Sequence, residues 1–370
     1  MAGKGISILY LSVGSGHRMA AEALANTIKQ LEPNLPVMAE DPFSEKTKIL
    51  PKILNALQTI SVVLAPDIYD LAWRRKADYD SYQWLTDVGV LQDFLVDRVN
   101  THRTGMIVAT HVVPCILGVG LKKRSIINDV YGVITDFGAH SLWPTQDVSG
   151  YFVASEELKN MLSFRGINAA NIHVTGIPIR KMPKHLPKKS ADSKIRVLLV
   201  SGGIQSGSYT NVQRYASDLL DLLMTEDFGN IDVTIVTGNQ KQLRKELTKQ
   251  VEIKQGNAHI LGFVPDLPRL MMKNDILITK PGGLIISEAL AIGMCIILME
   301  PLPGQERANV NFLARQGAAF KGETPAEVSQ VLRFLIEKPH AIDEMKTKAR
   351  NLGHPNSSDL ITNVILNHLK

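Results

Sequence analysis

Short, strongly apolar β runs alternate along this chain with helix-length segments, and that alternation restricts it to parallel sheets joined by crossover helices. In the first half the β runs are Ile6 to Val13, Val37 to Asp41, Met106 to Thr110, Val130 to Thr135 and Tyr151 to Ala154, with a helix over Arg18 to Gln30. In the second half they are Arg196 to Val200, Asp232 to Thr237, Ile260 to Gly262, Asp275 to Thr279 and Cys295 to Met299. A Pro- and Lys-rich stretch holding Lys181, Pro183, Lys184, Pro187, Lys188 and Lys189 separates the two series. A chain of 370 residues has room for two such α/β units, each burying its own core. The expected division is a first domain over 1–180, a linker over 181–194, a second domain over 195–355 and a closing helical segment over 356–370.

Composition narrows the class. With 45% hydrophobic and 21% charged residues, the chain is an ordinary globular mixture rather than a disordered or fibrous one. Cys115 and Cys295 stand in apolar surroundings without a Cys or His partner at metal-ligand spacing, so both read as buried thiols in a reducing compartment. No secretory signal precedes the first strand, and no apolar stretch approaches the about 20 residues of a spanning helix. The expectation is a cytoplasmic protein, peripheral on a membrane if it meets one. The net charge of +5 and the basic stretch after Arg180 read either as a solvated linker or as a contact for anionic lipid headgroups. Nucleic acid is not an expected partner, since no binding module accompanies the charge. Leu50, Ile53, Leu54, Leu57, Ile60 and Leu64 recur at helical spacing near Tyr69, Trp73, Arg74, Arg75 and Lys76. They describe a core-facing helix or one that touches a membrane.

Three strings carry candidate chemistry. In the first, the β run ending at Thr279 turns through Pro281, Gly282 and Gly283 into a helix bearing Ser287 and Glu288. Such a turn brings backbone amides and the positive end of a helix to an anion, which suits a diphosphate. Glu288 is placed to accept hydrogen bonds from ribose hydroxyls, and Gln305, Glu306 and Asn309 behind it suit the hydroxyl pattern of a sugar. The second string is Gly14-Ser15-Gly16-His17-Arg18-Met19. Met19 at the third glycine position of a dinucleotide fingerprint argues against that cofactor. Gly16 then belongs to a phosphate-friendly turn, and Gly202, Gly203 and Gln205 form its counterpart in the second half, either as ligand groups or as a helix-entry turn. His17 is suited to take a proton at neutral pH, and the first turn of a helix lowers its pKa further. The third string is Thr135-Asp136-Phe137-Gly138-Ala139-His140-Ser141-Leu142-Trp143 at a strand's carboxyl end. Asp136, His140 and Trp143 are its functional candidates, a loop-stabilising Asx turn being the other reading. His111, after another strand, ranks lower. The carboxylates are scattered and no Asp-x-Asp pair stands near the diphosphate turn, so no metal is expected.

The ordered string Lys280-Pro281-Gly282-Gly283-Leu284-Ile285-Ile286-Ser287-Glu288, with Pro303-Gly304-Gln305-Glu306 behind it, resembles the donor signature of the diacylglycerol glycosyltransferase and monogalactosyldiacylglycerol synthase family. The His17 turn and the Asp136 string resemble the same family, over nearly the whole chain. The resemblance implies a GT-B fold of the family 28 glycosyltransferase type: two Rossmann-like α/β domains facing each other across a cleft, the last helix returning to the first domain. It implies an inverting, metal-independent transfer of a hexose from UDP-glucose or UDP-galactose to diacylglycerol at the cytosolic face of a membrane. The UDP-sugar is a co-substrate, and no cofactor is implied. Phe263 and Val264 then mark where backbone groups hold the nucleobase, His17 or Asp136 is the base, and His140 and Trp143 lie on the acceptor side. Another lipid-linked acceptor such as a peptidoglycan precursor is the nearest alternative. A UDP-sugar 2-epimerase of the same fold and a non-catalytic UDP-sugar sensor are the others.

Overall fold

The computed structural model describes residues 3–12, 15–43, 89–183, 194–201, 209–229 and 231–369. The helical pattern over 46–76, most of the basic stretch, and Gly202, Gly203 and Gln205 lie outside these residues. Contacts divide the chain into two compact units, Met1–Lys181 with Pro303–Ala308 and Asn356–Lys370, and Met182–Leu302 with Asn309–Pro355.

Continuous apolar runs become strands covered on both faces, as parallel sheets require. In the first unit these are β1 (Gly5–Leu9), β2 (Val37–Glu40), β3 (Thr104–Ala109), β4 (Asp129–Val133), β5 (Gly150–Val153) and β6 (Ile172–Val174). All pair in parallel, in the order β2-β1-β3-β4-β5-β6. The edge strand β6 was not anticipated as a strand, because three residues beside a Gly-Ile-Pro turn carry no period. Helix α1 (Gly16–Leu31) buries Ala20, Ala21, Leu24, Ala25 and Ile28. That is one stripe at helical spacing, with alanines that allow close approach to the sheet. Helices α2 (Gly89–Thr101), α3 (Val112–Lys123) and α4 (Glu156–Phe164) complete the described crossovers. Ser155 caps α4 by accepting the Leu158 amide at 3.2 Å.

The second unit repeats the plan with β7 (Ile195–Val200), α5 (Tyr209–Thr225), β8 (Ile231–Val236), α6 (Lys241–Lys254), β9 (Ala258–Leu261), α7 (Leu267–Met271) and β10 (Ile276–Thr279). It continues through α8 (Gly283–Ile292), β11 (Cys295–Leu298), α9 (Gln305–Arg315), β12 (Phe320–Lys321), α10 (Pro325–Glu337) and α11 (His340–Leu352). The strands lie in the order β12-β11-β10-β7-β8-β9, again parallel. Gly293, at φ +76°, ends α8 in the left-handed conformation, and a side chain there would also meet the Arg350 side chain. The helix therefore stops in time for β11 to enter the sheet.

The closing helix α12 (Ser357–Leu369) belongs to the first unit. Ile361 and Ile365 enter the same buried cluster as Ile6, Ile8, Leu24, Met106 and Val108, each contributing about 1.5–3 kcal/mol of apolar burial. Ser357 Oγ accepts the Ile179 amide at 3.2 Å and Ser358 Oγ donates to the Ile179 carbonyl at 2.7 Å, clamping the helix entry. At the far end His368 Nε2 lies 3.0 Å from Asp129 Oδ2.

Both cysteines are buried and free, and burial pushes each thiol up to about 12. No helix among the described residues is long and apolar enough to cross a membrane.

Candidate active site

In an open parallel sheet, ligands gather where the strand order reverses, beyond the carboxyl ends of the two strands that flank the reversal. In the first unit that place is between β1 and β3. The chain leaves β1 for β2 on one side and returns to β3 on the other. Gly16 and His17 open α1 after β1, and Thr110 and His111 follow β3. Pairing of β1 with β3 thus brings together residues 93 apart in sequence: His17 Nδ1 lies 2.8 Å from the Thr110 carbonyl oxygen. A carbonyl only accepts, so Nδ1 carries the proton and Nε2 is left with a lone pair. Thr110 Oγ1 donates to the His17 carbonyl at 3.0 Å, and Thr135 Oγ1 lies 3.0 Å from His17 Nδ1, so the ring is held from two strand ends. Burial lowers the pKa of His17, opposed in part by the bond to Thr110. The lowered pKa favours the neutral imidazole, and among the described residues its open nitrogen is Nε2.

Asp136 follows Thr135 at the end of β4 and is partly exposed. The loop beyond it is braced by Arg165, whose two guanidinium nitrogens donate to the carbonyls of His140 and Ala139 at 3.1 Å each. His140 Nδ1 accepts the Leu142 amide at 3.0 Å. Burial first, and the Arg165 charge second, hold His140 down to about 4. Trp143 departs from the acceptor role expected of it. It is 6% exposed and packs edge to face on Tyr151 in the core, with 5.7 Å between ring centroids. The apolar indole closes the sheet under the loop, where burial is worth more than a place in solvent. Arg165 was missed in the sequence because an Arg before a helix-ending Gly carries no local mark of what it reaches.

In the second unit the reversal falls between β7 and β10, and the turn after β10 is Lys280 to Gly283. One detail of the expected anion cradle changes. The Gly282 amide donates to the Lys280 carbonyl at 2.9 Å, so it is not available to a phosphate. The amides open at this helix start are those of Gly283, Leu284 and Ile285, since the ladder of α8 begins with Ile286 bonding to the Gly282 carbonyl at 3.1 Å. Asn309 also has a different place from the one expected: it is fully buried, and its Nδ2 donates to the Pro281 carbonyl at 2.8 Å. It braces the turn from α9 instead of facing a sugar. Ser287 Oγ donates back to the Gly283 carbonyl at 2.8 Å, so its single proton is directed into the helix. Glu288 is 2% exposed on the inner side of α8. Gln305 and Glu306 open α9 and are partly exposed, in the segment Pro303–Ala308 that groups with the first unit. Phe263 is exposed and Val264 half-buried after β9, and among the described residues no bond engages either backbone amide. Among the described residues no group of three His, Cys, Asp or Glu side chains is placed to hold a metal ion.

Two parallel α/β sheets, each with its candidate groups at the point of strand reversal, define a two-domain glycosyltransferase fold of the GT-B kind. Solved structures agree on the fold. MurG of Acinetobacter baumannii superposes with a TM-score of 0.62 at 17% identity, covering 98% of this chain and 99% of its own. A UDP-GlcNAc 2-epimerase from Neisseria meningitidis, bound to UDP-GlcNAc, gives 0.64 at 15%, covering 98% and 100%. The model of the monogalactosyldiacylglycerol (MGDG) synthase family matches residues 17–179, and that of glycosyl transferases group 1 matches residues 205–352. The processive diacylglycerol beta-glucosyltransferase of Bacillus cytotoxicus is 28% identical over 374 residues, covering 98% of this chain and 93% of its own. Its counterpart in Bacillus subtilis is 28% identical over 373 residues, covering 98% and 95%. The chain is thus similar to the monogalactosyldiacylglycerol synthase family over residues 17–179 and to curated diacylglycerol beta-glucosyltransferases over nearly its whole length.

Proposed function

We propose that this protein is an inverting hexosyltransferase that moves glucose or galactose from a UDP-sugar to 1,2-diacylglycerol. The observation that carries the reading is the His17 tautomer: Nδ1 is tied to the Thr110 carbonyl and Nε2 is left as a neutral base at the reversal point of the first sheet. In the proposed reaction His17 Nε2 takes the proton of the lipid hydroxyl as its oxygen attacks the anomeric carbon, and UDP leaves from the opposite face. Asp136, next to the Thr135 that holds His17, is the other candidate for this base. The amides of Gly283, Leu284 and Ile285 and the dipole of α8 are suited to the charge that builds on the diphosphate. Phe263 and Val264 offer backbone groups to uracil, Glu288 takes the ribose, and Gln305 and Glu306 read the hexose. Gly16 at the head of α1, and Gly203 and Gln205 after β7, complete the proposed set, with His140 on the acceptor side. Full-length relatives named as diacylglycerol beta-glucosyltransferases support the acceptor and make UDP-glucose the first donor to test. We place the protein on the cytosolic face of a membrane, held by anionic headgroups, a reading that the net charge of +5 supports.

The test is incubation with diacylglycerol vesicles and labelled UDP-glucose or UDP-galactose, followed by mass spectrometry of the lipid. A hexosyl-diacylglycerol of inverted anomeric configuration is expected. Release of UDP in the absence of diacylglycerol, with no glycolipid in its presence, would overturn the reading.

A further inference from the structure

The two imidazoles beside Thr110 are held in opposite tautomers. His17 gives its Nδ1 proton to the Thr110 carbonyl and keeps a lone pair on Nε2. His111 does the reverse: it caps α3 by accepting the Val113 amide on Nδ1 at 3.2 Å, so the neutral ring carries its proton on Nε2. The rings meet edge to face, with centroids 4.9 Å apart at 85°. Among the described residues nothing bonds to Nε2 of either ring. Burial keeps His111 well below the usual histidine range, and the neighbouring His17 and His140 lower it further. His111 therefore stays neutral when His17 takes up a proton, and with Nδ1 engaged in the cap it does not compete as a base. What it offers is one N–H donor next to the base.

We propose that His111 is a specificity-determining residue for the lipid acceptor, its Nε2–H binding an ester carbonyl oxygen of the same diacylglycerol whose hydroxyl faces His17 Nε2. The inference rests on the acceptor reading given above. A 1,2-diacylglycerol presents one hydroxyl with a proton to give and, next to it on the glycerol, an ester carbonyl with only lone pairs to offer. A base and a donor side by side complement that pair, whereas two bases or two donors do not. His111 then favours ester-linked over ether-linked lipids without taking part in proton transfer.

The experiment compares kcat/KM for 1,2-diacylglycerol and for 1,2-dialkylglycerol, which keeps the hydroxyl and lacks both carbonyls, in wild type and in His111→Ser. Serine is among the best N-cap residues, so α3 keeps its cap while the donor is lost. The ester-to-ether ratio is taken on one preparation and so does not depend on the folded fraction. Wild type is expected to prefer the ester by about five- to tenfold, the size of one net hydrogen bond, and His111→Ser to bring the ratio close to one. An active wild type whose preference survives in His111→Ser, or one without preference, overturns the inference alone. A wild type that leaves diacylglycerol unglycosylated overturns the acceptor reading and the inference with it.

Discussion

Replacing Arg165 by Met keeps much of the side-chain volume while removing the guanidinium that holds the loop after β4. Two bonds of 3.1 Å are lost, to the carbonyls of Ala139, which is fully buried, and of His140. Bonds from a charged donor contribute about 1.5–3 kcal/mol each, and relief of the half-buried guanidinium offsets part of that. A net destabilisation of about 2 to 4 kcal/mol is expected, read as a lower urea midpoint for the first unit. The same substitution acts on His140. Its pKa sits at about 4 through burial first and the Arg165 charge second. Removing the smaller cause raises the pKa but leaves it below the ordinary 6.5, since burial remains. The assay is a two-dimensional NMR titration of the His140 ring, beside lipid-acceptor and donor kinetics on the same protein. The acceptor KM is expected to rise and the donor KM to stay within about twofold, because both carbonyls that the guanidinium holds lie in the loop after β4. An unshifted His140 titration together with an unchanged acceptor KM would refute the argument that Arg165 sets this loop.

Other outcomes follow from the same geometry. His17→Ala should fold and lose about 10²- to 10⁴-fold in kcat, the usual contribution of a general base. The sign of the pH dependence is set by its lowered pKa: the base works unprotonated, so wild-type kcat/KM should hold as pH falls past 6.5 and drop only below it. A pH–rate profile checks this, and an acid limb above 6.5 would point away from His17. Asn309→Ala strands the Pro281 carbonyl and should cost about 1–3 kcal/mol while raising the Kd for UDP, measured by calorimetry. Gly282→Ala should be close to neutral for both. Gly282 has φ −73°, an added Cβ would meet only Ile285 Cγ2 at 3.7 Å, and its amide is already bonded to Lys280. A large loss of UDP affinity in that variant would restore Gly282 to the phosphate cradle.

The turn proposed to bind the donor was the more legible in sequence because its groups are local. Pro281, Gly282, Gly283 and Glu288 stand on one strand–turn–helix segment, and a turn of that kind announces open amides wherever it occurs. Even there, the bond from the Gly282 amide to the Lys280 carbonyl and the burial of Asn309 moved two roles, since neither is visible until the chain is folded. Trp143 shows the opposite limit: an indole on a loop suits a ligand or a core equally well, and packing against Tyr151 decides it.

The sequence by itself determined the alternation of buried strands and helices, the parallel class of both sheets, and the residue types at each strand's carboxyl end. These follow from periodicity and turn chemistry, which act over a few residues. Only the tertiary structure decided that β1 lies beside β3, which puts His17 against Thr110 and His111 and fixes the His17 tautomer opposite to that of the locally capped His111. Parallel pairing joins segments about a hundred residues apart, and no local signal encodes which strand becomes the neighbour. The proton on His17 is set by the Thr110 carbonyl that pairing delivers, and the proton on His111 by the cap of its own helix.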